Sequence, residues 1–448
     1  MREILWFKND LRITDNAVLH NAKDGVLPIF IFDKNVLKNL DNEDKSISFL
    51  YKSVIFLKKQ LKDIGLDLAI FFDEPKNIFT ELKKLNFDSI LTSYDYDDYS
   101  KKRDAEIEKI LSINKLYNRF ILNPNEHLKK DHTPYKVFTP FFKSLTVLTS
   151  SSNIEEFTLN KKIKKIDFNY EKIPTLKDLG FIQQKPPLYL KKSIKTLLKE
   201  FVQKLPLYKE NRDYFYKDAT SKLSVHLRFG LISPREIFNF MQKHNSSDFF
   251  IRELFWREFY AYILYHFPHT EFKNFKTINI KYRNNQEDFK RWCEGKTGIP
   301  IIDAAMNQLN TTGLMHNRLR MITASFLTKN LLIDWKWGEK YFAKKLLDYE
   351  ISTNVASWQW AASTGADAVP YFRIFNPYIQ SKKFDKDAKF IKKYLPILEQ
   401  IDSKIIHKEN SNIFETIKEY TKPLVSIDFS RKRVLEAFKK AQLQEQKC

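Results

Sequence analysis

The sequence predicts an α/β plus all-α chain: an amino-terminal α/β domain with a parallel sheet at residues 1–130, a long linker at 131–204, and an all-helical domain at 205–448. Two observations carry this reading. Up to about residue 125, short apolar runs alternate with amphipathic stretches of helical period, the pattern of a parallel sheet covered on both faces. Beyond Leu205 the period stays helical to the end, and six of the seven tryptophans lie there.

Taken in order, strands are expected at Glu3–Phe7, Val26–Asp33, Asp67–Asp73, Ser89–Tyr94 and Arg119–Asn123. Amphipathic helices are expected between them at Leu50–Ile64, Pro75–Asn86 and Tyr99–Ile113. Gly65 stands where a helix C-cap belongs, and Pro75 suits the first turn of the next helix. The first strand runs into WFKNDLR and not into a GxGxxG turn, so a standard dinucleotide-binding half is not predicted. From Asp131 to Pro206 the pattern breaks into short Lys- and Ser-containing pieces with several prolines. SLTVLTSSSNIEEF and KKIKKIDFNYEKIPT read there as a connector running over the surface. Helices then follow at Pro234–Lys243, Phe249–Phe267, Ile299–Asn310, His316–Lys329 and Glu339–Leu347.

Composition narrows the function classes. The 76 Lys and Arg against 55 Asp and Glu leave a formal charge of +21, which suits a polyanionic partner, either nucleic acid or an anionic membrane. No apolar run approaches membrane-spanning length, and the opening MREILWF reads as a strand and not as a signal peptide. Nucleic acid is therefore the expected partner. Two cysteines, Cys293 and Cys448, make no disulfide framework and no zinc spacing, which fits a reducing, cytoplasmic setting. No Walker A loop, HExxH or GxSxG is present, and the nine histidines are scattered.

Four segments stand out. In RELFWREFY, Glu253, Trp256, Arg257 and Tyr260 fall at i, i+3, i+4 and i+7, one face of a helix carrying two charges beside two large aromatics. In NVASWQW, which begins at Asn354, Trp358 and Trp360 are two residues apart and cannot share a helical face. In MHNRLRM, Arg318 and Arg320 beside His316 and Asn317 suit phosphate contacts. Thr220 to Ser224, followed by HLRFG and then by SPRE at Ser233–Pro234, sets hydroxyls beside a helix start, where a diphosphate is well held.

Together these segments resemble the photolyase/cryptochrome family, specifically its bacterial class I cyclobutane-dimer photolyases. The resemblance covers nearly the whole chain, through ILWFKNDLRITDN at 4–16, YKVFTPF at 135–141, TSKLSVHLRFG at 220–230, WREFY at 256–260 and EGKTGIPIIDAAMNQLNTTG at 294–313. HNRLRMITASFLTKNLLIDW at 316–335 and WQWAASTGADAVPYFRIFNP at 358–377 complete it. The resemblance implies FAD in the helical domain and light-driven, sequence-independent repair of cyclobutane pyrimidine dimers in ultraviolet-damaged DNA by a monomer. It implies that Tyr208, Thr220, Ser221, Lys222, Leu223 and Ser224 contact the ribityl and diphosphate portion, and that Arg257, Asn317, Arg320, Asp348, Tyr349 and Glu350 surround the flavin ring. Asn354 matches the side chain facing flavin N5, and Glu253 matches the carboxyl group on the dimer's carbonyls. Met321 stands with these two as a catalytic position. Trp256 and Trp360 match the aromatics that sandwich the extruded dimer, while Arg212, Arg257, Tyr260, Asn317, Arg318 and Gln380 match DNA contacts.

The same resemblance assigns photoreduction to Trp358, Trp335 and a distal position, here Tyr282. Tyrosine is harder to oxidise than tryptophan unless it loses its proton, which predicts slower photoactivation, with Trp292 or Trp337 as alternative exits. Further departures are Glu350 for the usual Asp, Val355–Ala356–Ser357 for Asn-Gly-Gly, and Leu314 for a Trp. No folate-contact pattern is visible in the α/β domain, so a second antenna chromophore, folate or deazaflavin, is not supported by the sequence. Asn317 and Met321 stand where the (6-4) branch carries histidines. The alternative is a cryptochrome-type photoreceptor that binds FAD without repairing DNA, and a nucleic-acid-binding module without catalysis is a further rival.

Overall fold

The computed structural model describes residues 2–150, 154–409, 411 and 413–445, so Ser151–Asn153 of the expected connector and Cys448 lie outside the described residues. The chain divides into two compact units, one made of residues 1–205 with 221–268, the other of 206–220 with 269–448.

The first unit is built on a parallel sheet of β1 (Arg2–Phe7), β2 (Gly25–Asp33), β3 (Ala69–Asp73), β4 (Ser89–Ser93) and β5 (Ile113–Leu116) in the order β3-β2-β1-β4-β5. Register runs Ile4 against Leu27 and Ile90, and Ile29 against Ala69. A two-residue strand, β6 (Lys164–Lys165), adds to β2 beside Gly25 and Val26. Helices α1 (Lys45–Asp63), α2 (Pro75–Lys83) and α3 (Asp98–Glu108) follow β2, β3 and β4. Pro75 occupies the first turn of α2 as expected. Trp6, Ile29, Phe79, Leu82, Ile90 and Ile107 form part of a dry core, each such side chain contributing about 1.5–3 kcal/mol.

Two local expectations are corrected. The fifth strand is Ile113–Leu116 and not Arg119–Asn123, because the Ile121 and Leu122 amides donate to the Glu258 carboxylate at 3.0 and 2.9 Å instead of to a sheet neighbour. The connector contains a helix, α4 (Phe138–Ser150), whose Phe138, Phe141 and Leu145 recur at helical spacing and are buried. Ser233 starts a helix as expected. It is a buried N-cap whose hydroxyl accepts from the Glu236 amide at 3.0 Å, donates to Asp15, and opens α5 (Pro234–Gln242) with a capping box.

The WFKNDLR turn is a structural clasp. Arg12 reaches Asp15 O, Asn118 Oδ1 and Gly230 O at 2.8, 2.8 and 3.3 Å, and Asp15 pairs with Arg235 at 2.9 Å. Gly230, at φ +63°, lets the 229–235 segment close on this turn, since a Cβ there would lie 2.2 Å from Asn9 O. These contacts tie residues 221–268, including α6 (Asp248–His266), to the sheet.

The second unit is helical. Its main helices are α7 (Gln286–Cys293), α8 (Pro300–Thr312), α9 (Asn317–Ser325), α10 (Trp335–Lys345), α11 (Ile351–Ala362) and α12 (Ile427–Glu445). The helix expected over His316–Lys329 is instead α9 followed by a π turn, Phe326–Asn330. Buried Ile302, Met306, Leu319, Leu327, Trp335, Phe342 and Trp358 belong to its core. Asp303 of α8 gathers the preceding loop, accepting from the Thr297 and Gly298 amides and the Tyr420 hydroxyl at 2.7, 3.0 and 2.9 Å.

Candidate active site

In the first unit the expected face of α6 is present. Glu253, Trp256, Arg257 and Tyr260 are all half-exposed, while Leu254, Phe255, Glu258 and Phe259 between them are buried. Trp256 is backed by Phe138 of α4, the two rings stacked 3.6 Å apart at 9°. Tyr260 lies 5.4 Å from the same indole. Arg257 donates to Arg119 O at 3.2 Å and covers the Phe120 ring at 4.5 Å. Glu258 pins the segment holding Arg119 and Phe120 through the two amide contacts above. Burial raises its pKa, a cost partly offset by those two donors.

Ser221 to Ser224 are also in this unit. Lys222 adopts φ +58° and its ammonium lies 5.6 Å from the Tyr189 ring centroid. The Ser221 hydroxyl accepts from the Leu223 amide at 3.4 Å, and Ser224 is exposed at the start of a one-turn helix, Ser224–Arg228.

The second unit holds the remaining candidates. Arg320 of α9 donates to both oxygens of Asp348 at 2.9 and 2.8 Å and to Met315 O at 2.9 Å, which fixes its guanidinium plane. Glu350 caps α11, accepting from the Thr353 amide at 3.0 Å and from the Ser352 hydroxyl. The carboxylate in place of the usual Asp is thus spent on the helix start that presents Asn354. That asparagine donates its amide to Glu339 Oε1 at 3.0 Å and to Glu339 O at 3.3 Å, and among the described residues its Oδ1 accepts no hydrogen bond. Tyr349 donates to the same Glu339 carboxylate at 3.3 Å. Burial raises the Glu339 pKa, opposed by the Asn354 and Tyr349 donors.

Arg318 pairs with Asp213 at 2.7 Å and lies over Phe384 at 4.7 Å, while Arg212 lies 5.8 Å from the Tyr208 ring centroid. The Asn317 amide points to Met321 Sδ at 3.8 Å. Trp360 and Gln380 are half-exposed, whereas Trp358 is buried on the other side of α11, as their two-residue spacing requires. Trp335 donates its indole N–H to Asn274 Oδ1 at 2.8 Å. Tyr282 is partly buried against a small cluster of Ile280, Leu332, Val434 and Phe438, and its hydroxyl is buried with no hydrogen-bond partner among the described residues. Burial first, and Asp334 second, hold that phenol in its protonated form.

Three supporting residues escaped the sequence reading: Phe138 behind Trp256, Glu258 behind Arg257, and Glu339 behind Asn354. Glu258 carried a usable signal, a carboxylate at helical spacing from the apolar Leu254 and Phe255. The donor set of the second unit fits a flavin dinucleotide: a fixed guanidinium at Arg320, an uncommitted amide oxygen at Asn354, and a tyrosine at Tyr208 beside a half-exposed Arg212. Among the described residues no group of His, Cys, Asp or Glu is arranged to hold a metal ion, and no helix is long and apolar enough to cross a membrane.

Comparison with known proteins agrees. The family model described as DNA photolyase matches residues 3–157, and that described as FAD binding domain of DNA photolyase matches residues 250–440. A deoxyribodipyrimidine photo-lyase of Buchnera aphidicola is 35% identical over 99% of this chain and 98% of its own length. That of Escherichia coli is 33% identical over 98% of each. Among solved structures, a bacterial class III photolyase from Agrobacterium tumefaciens superposes with a TM-score of 0.85 at 31% identity over 98% of both chains. An archaeal photolyase from Sulfolobus tokodaii, solved with two FAD molecules, gives 0.82 at 33% identity over 98% of this chain and all of the other. A Synechocystis cryptochrome, at 23% identity and a TM-score of 0.84, shows the shared fold alone. With its parallel-sheet and helical architecture and two full-length relatives above 30% identity, the chain belongs to the DNA photolyase family.

Proposed function

We propose that this protein is a deoxyribodipyrimidine photo-lyase that uses light and FAD to split cyclobutane pyrimidine dimers in ultraviolet-damaged DNA. The observation that carries the reading is the half-exposed stripe Glu253, Trp256, Arg257 and Tyr260, held on a buried helix in a chain of this family. Bound FAD supplies the light absorption and the one-electron reducing power. The protein's own side chains do the rest. Tyr208, Thr220, Ser221, Lys222, Leu223 and Ser224 hold the diphosphate and ribityl portion, and Arg320, Asp348, Tyr349 and Glu350 fix the ring's surroundings. Asn354 presents an amide to the ring because Glu339 orients it, with Asn317 and Met321 close by on α9.

The Glu253 carboxyl group meets the pyrimidine carbonyls, where charge develops during ring opening. Trp256, rigid against Phe138, and Trp360 stack on the extruded dimer. Base flipping by photolyases is an established example of this recognition class. Arg212, Arg257, Tyr260, Asn317, Arg318 and Gln380 meet the strand. A formal charge of +21 makes the attraction to the backbone independent of sequence and steep in salt. The protein acts as a monomer in the cytoplasm.

The test uses reduced, flavin-loaded protein and an oligonucleotide carrying one thymine dimer, with thymine absorbance followed under blue light and in the dark. Light-dependent recovery that falls roughly 100-fold in Glu253→Ala and in Trp256→Ala supports the reading, the scale expected for losing one positioned group in the transition state. Absence of recovery with flavin bound and reduced rejects it in favour of a photoreceptor.

A further inference from the structure

We propose that electrons reach Trp358 by a side route, from the surface residue Trp337 through the buried Trp292, and that this route bypasses Tyr282. The inference rests on the reading above in one respect, that Trp358 is the residue next to the flavin.

The contacts form a continuous path inside the second unit. Trp358 packs against α10 where residue 338 is glycine, and a Cβ there would fall 2.1 Å from its ring. Its centroid lies 6.0 Å from that of Trp292 of α7, the planes at 72°. Trp292 is stacked on Phe289 at 5.9 Å and 18°, and Phe289 meets Trp337 edge-on at 5.2 Å. Trp292 is fully buried, whereas Trp337 is half-exposed on α10. Buried and surface indoles are thus joined by one intervening ring.

Two orphaned polar atoms decide between the routes. Trp292 Nε1 and the Tyr282 hydroxyl are both buried without a partner, and such groups in a native structure call for an explanation. They behave oppositely on oxidation. A tryptophan can give up an electron and keep its indole proton, so a buried indole with no acceptor holds the charge as a mobile cation radical and passes it on. A phenol has to release its proton as it is oxidised, and Tyr282 has no acceptor for it among the described residues. The feature that makes Trp292 a relay therefore makes Tyr282 a poor terminus.

The step balances as follows. Trp358 gives up one electron, for which bound, oxidised flavin would on excitation be the acceptor. Trp292 returns one electron to Trp358, and Trp337 returns one to Trp292. Trp337 then releases its indole proton to water, and a solution thiol restores it by donating one electron and one proton.

The experiment is flash photolysis of the oxidised, flavin-loaded protein, with transient absorption and electron paramagnetic resonance identifying the long-lived radical. The expected species is a tryptophanyl radical whose yield is unchanged in Tyr282→Phe. In Trp337→Phe the yield falls roughly tenfold, equivalent to about 1.4 kcal/mol on the outward step. Trp292→Phe repeats the loss with flavin content and melting temperature matched to the parent. The partly exposed Trp337 keeps the test valid even if the core variant folds poorly. A tyrosyl radical that vanishes in Tyr282→Phe, with full yield in Trp337→Phe, overturns the proposal. Full yield in Trp358→Phe instead overturns the reading on which it rests.

Discussion

Lys329 offers the most quantitative test of the second unit. It sits in the π turn with no exposed surface, its ammonium 2.7 Å from Ser363 Oγ, 3.2 Å from Ala362 O and 4.0 Å from the centroid of Phe438 on α12. No carboxylate pairs with it among the described residues, and burial, followed by the charge of Lys276, lowers its pKa from 10.5 to about 7. That displacement corresponds to about 5 kcal/mol against the folded state at and below neutral pH. The Phe438 face returns about 2 kcal/mol to the charged form, and the two hydrogen bonds are worth about 1 kcal/mol. Lys329→Met keeps the packing and removes the charge, so it should stabilise the protein by about 2 kcal/mol near pH 7, a rise of roughly 2 °C in melting temperature. The sign with pH is fixed. The unfolded chain protonates this amine below about 10.5 and the folded chain only below about 7, so the parent loses stability as pH falls through that window and levels off beneath it. The advantage of the variant should therefore fall by about 1.4 kcal/mol per pH unit above pH 7, vanish between about pH 8 and pH 9 and reverse by pH 10, followed by thermal unfolding in a buffer series. A variant less stable than the parent at pH 7, or a difference flat across the series, refutes the argument.

Two further expectations concern the first unit. Arg235→Leu leaves Asp15 buried without its cation and should cost about 3–5 kcal/mol in denaturant unfolding, with part of the loss recovered by adding Asp15→Asn. Phe138→Ala removes the ring that backs Trp256 and should weaken binding to a dimer-containing oligonucleotide roughly tenfold, about 1.4 kcal/mol, with undamaged duplex little affected. Fluorescence anisotropy separates the two, and equal losses on both duplexes would assign Phe138 to general folding.

Local pattern was readable wherever the chain's own neighbours decide structure. The i, i+3, i+4, i+7 spacing of Glu253, Trp256, Arg257 and Tyr260 places them on one face of any helix, and the two-residue offset of Trp358 and Trp360 sends them to opposite sides. Pro75 opens a helix because its missing N–H costs nothing there. The misplaced fifth strand involves backbone groups claimed by a partner far along the chain. Arg119–Asn123 looks like a strand, but its amides go to Glu258, 136 or 137 residues away.

The sequence by itself determined the α/β-then-helical architecture, the family, and the candidate side chains for the chemistry, because periodicity and motif order are properties of the chain. Tertiary structure alone decided what stands behind each of those side chains: Phe138 behind Trp256, Glu339 behind Asn354, Gly338 and Trp292 around Trp358. It also decided that Trp292 Nε1 and the Tyr282 hydroxyl are buried without partners. Burial and hydrogen-bond satisfaction depend on residues that meet only when distant segments pack, and no local spacing encodes which ones those are.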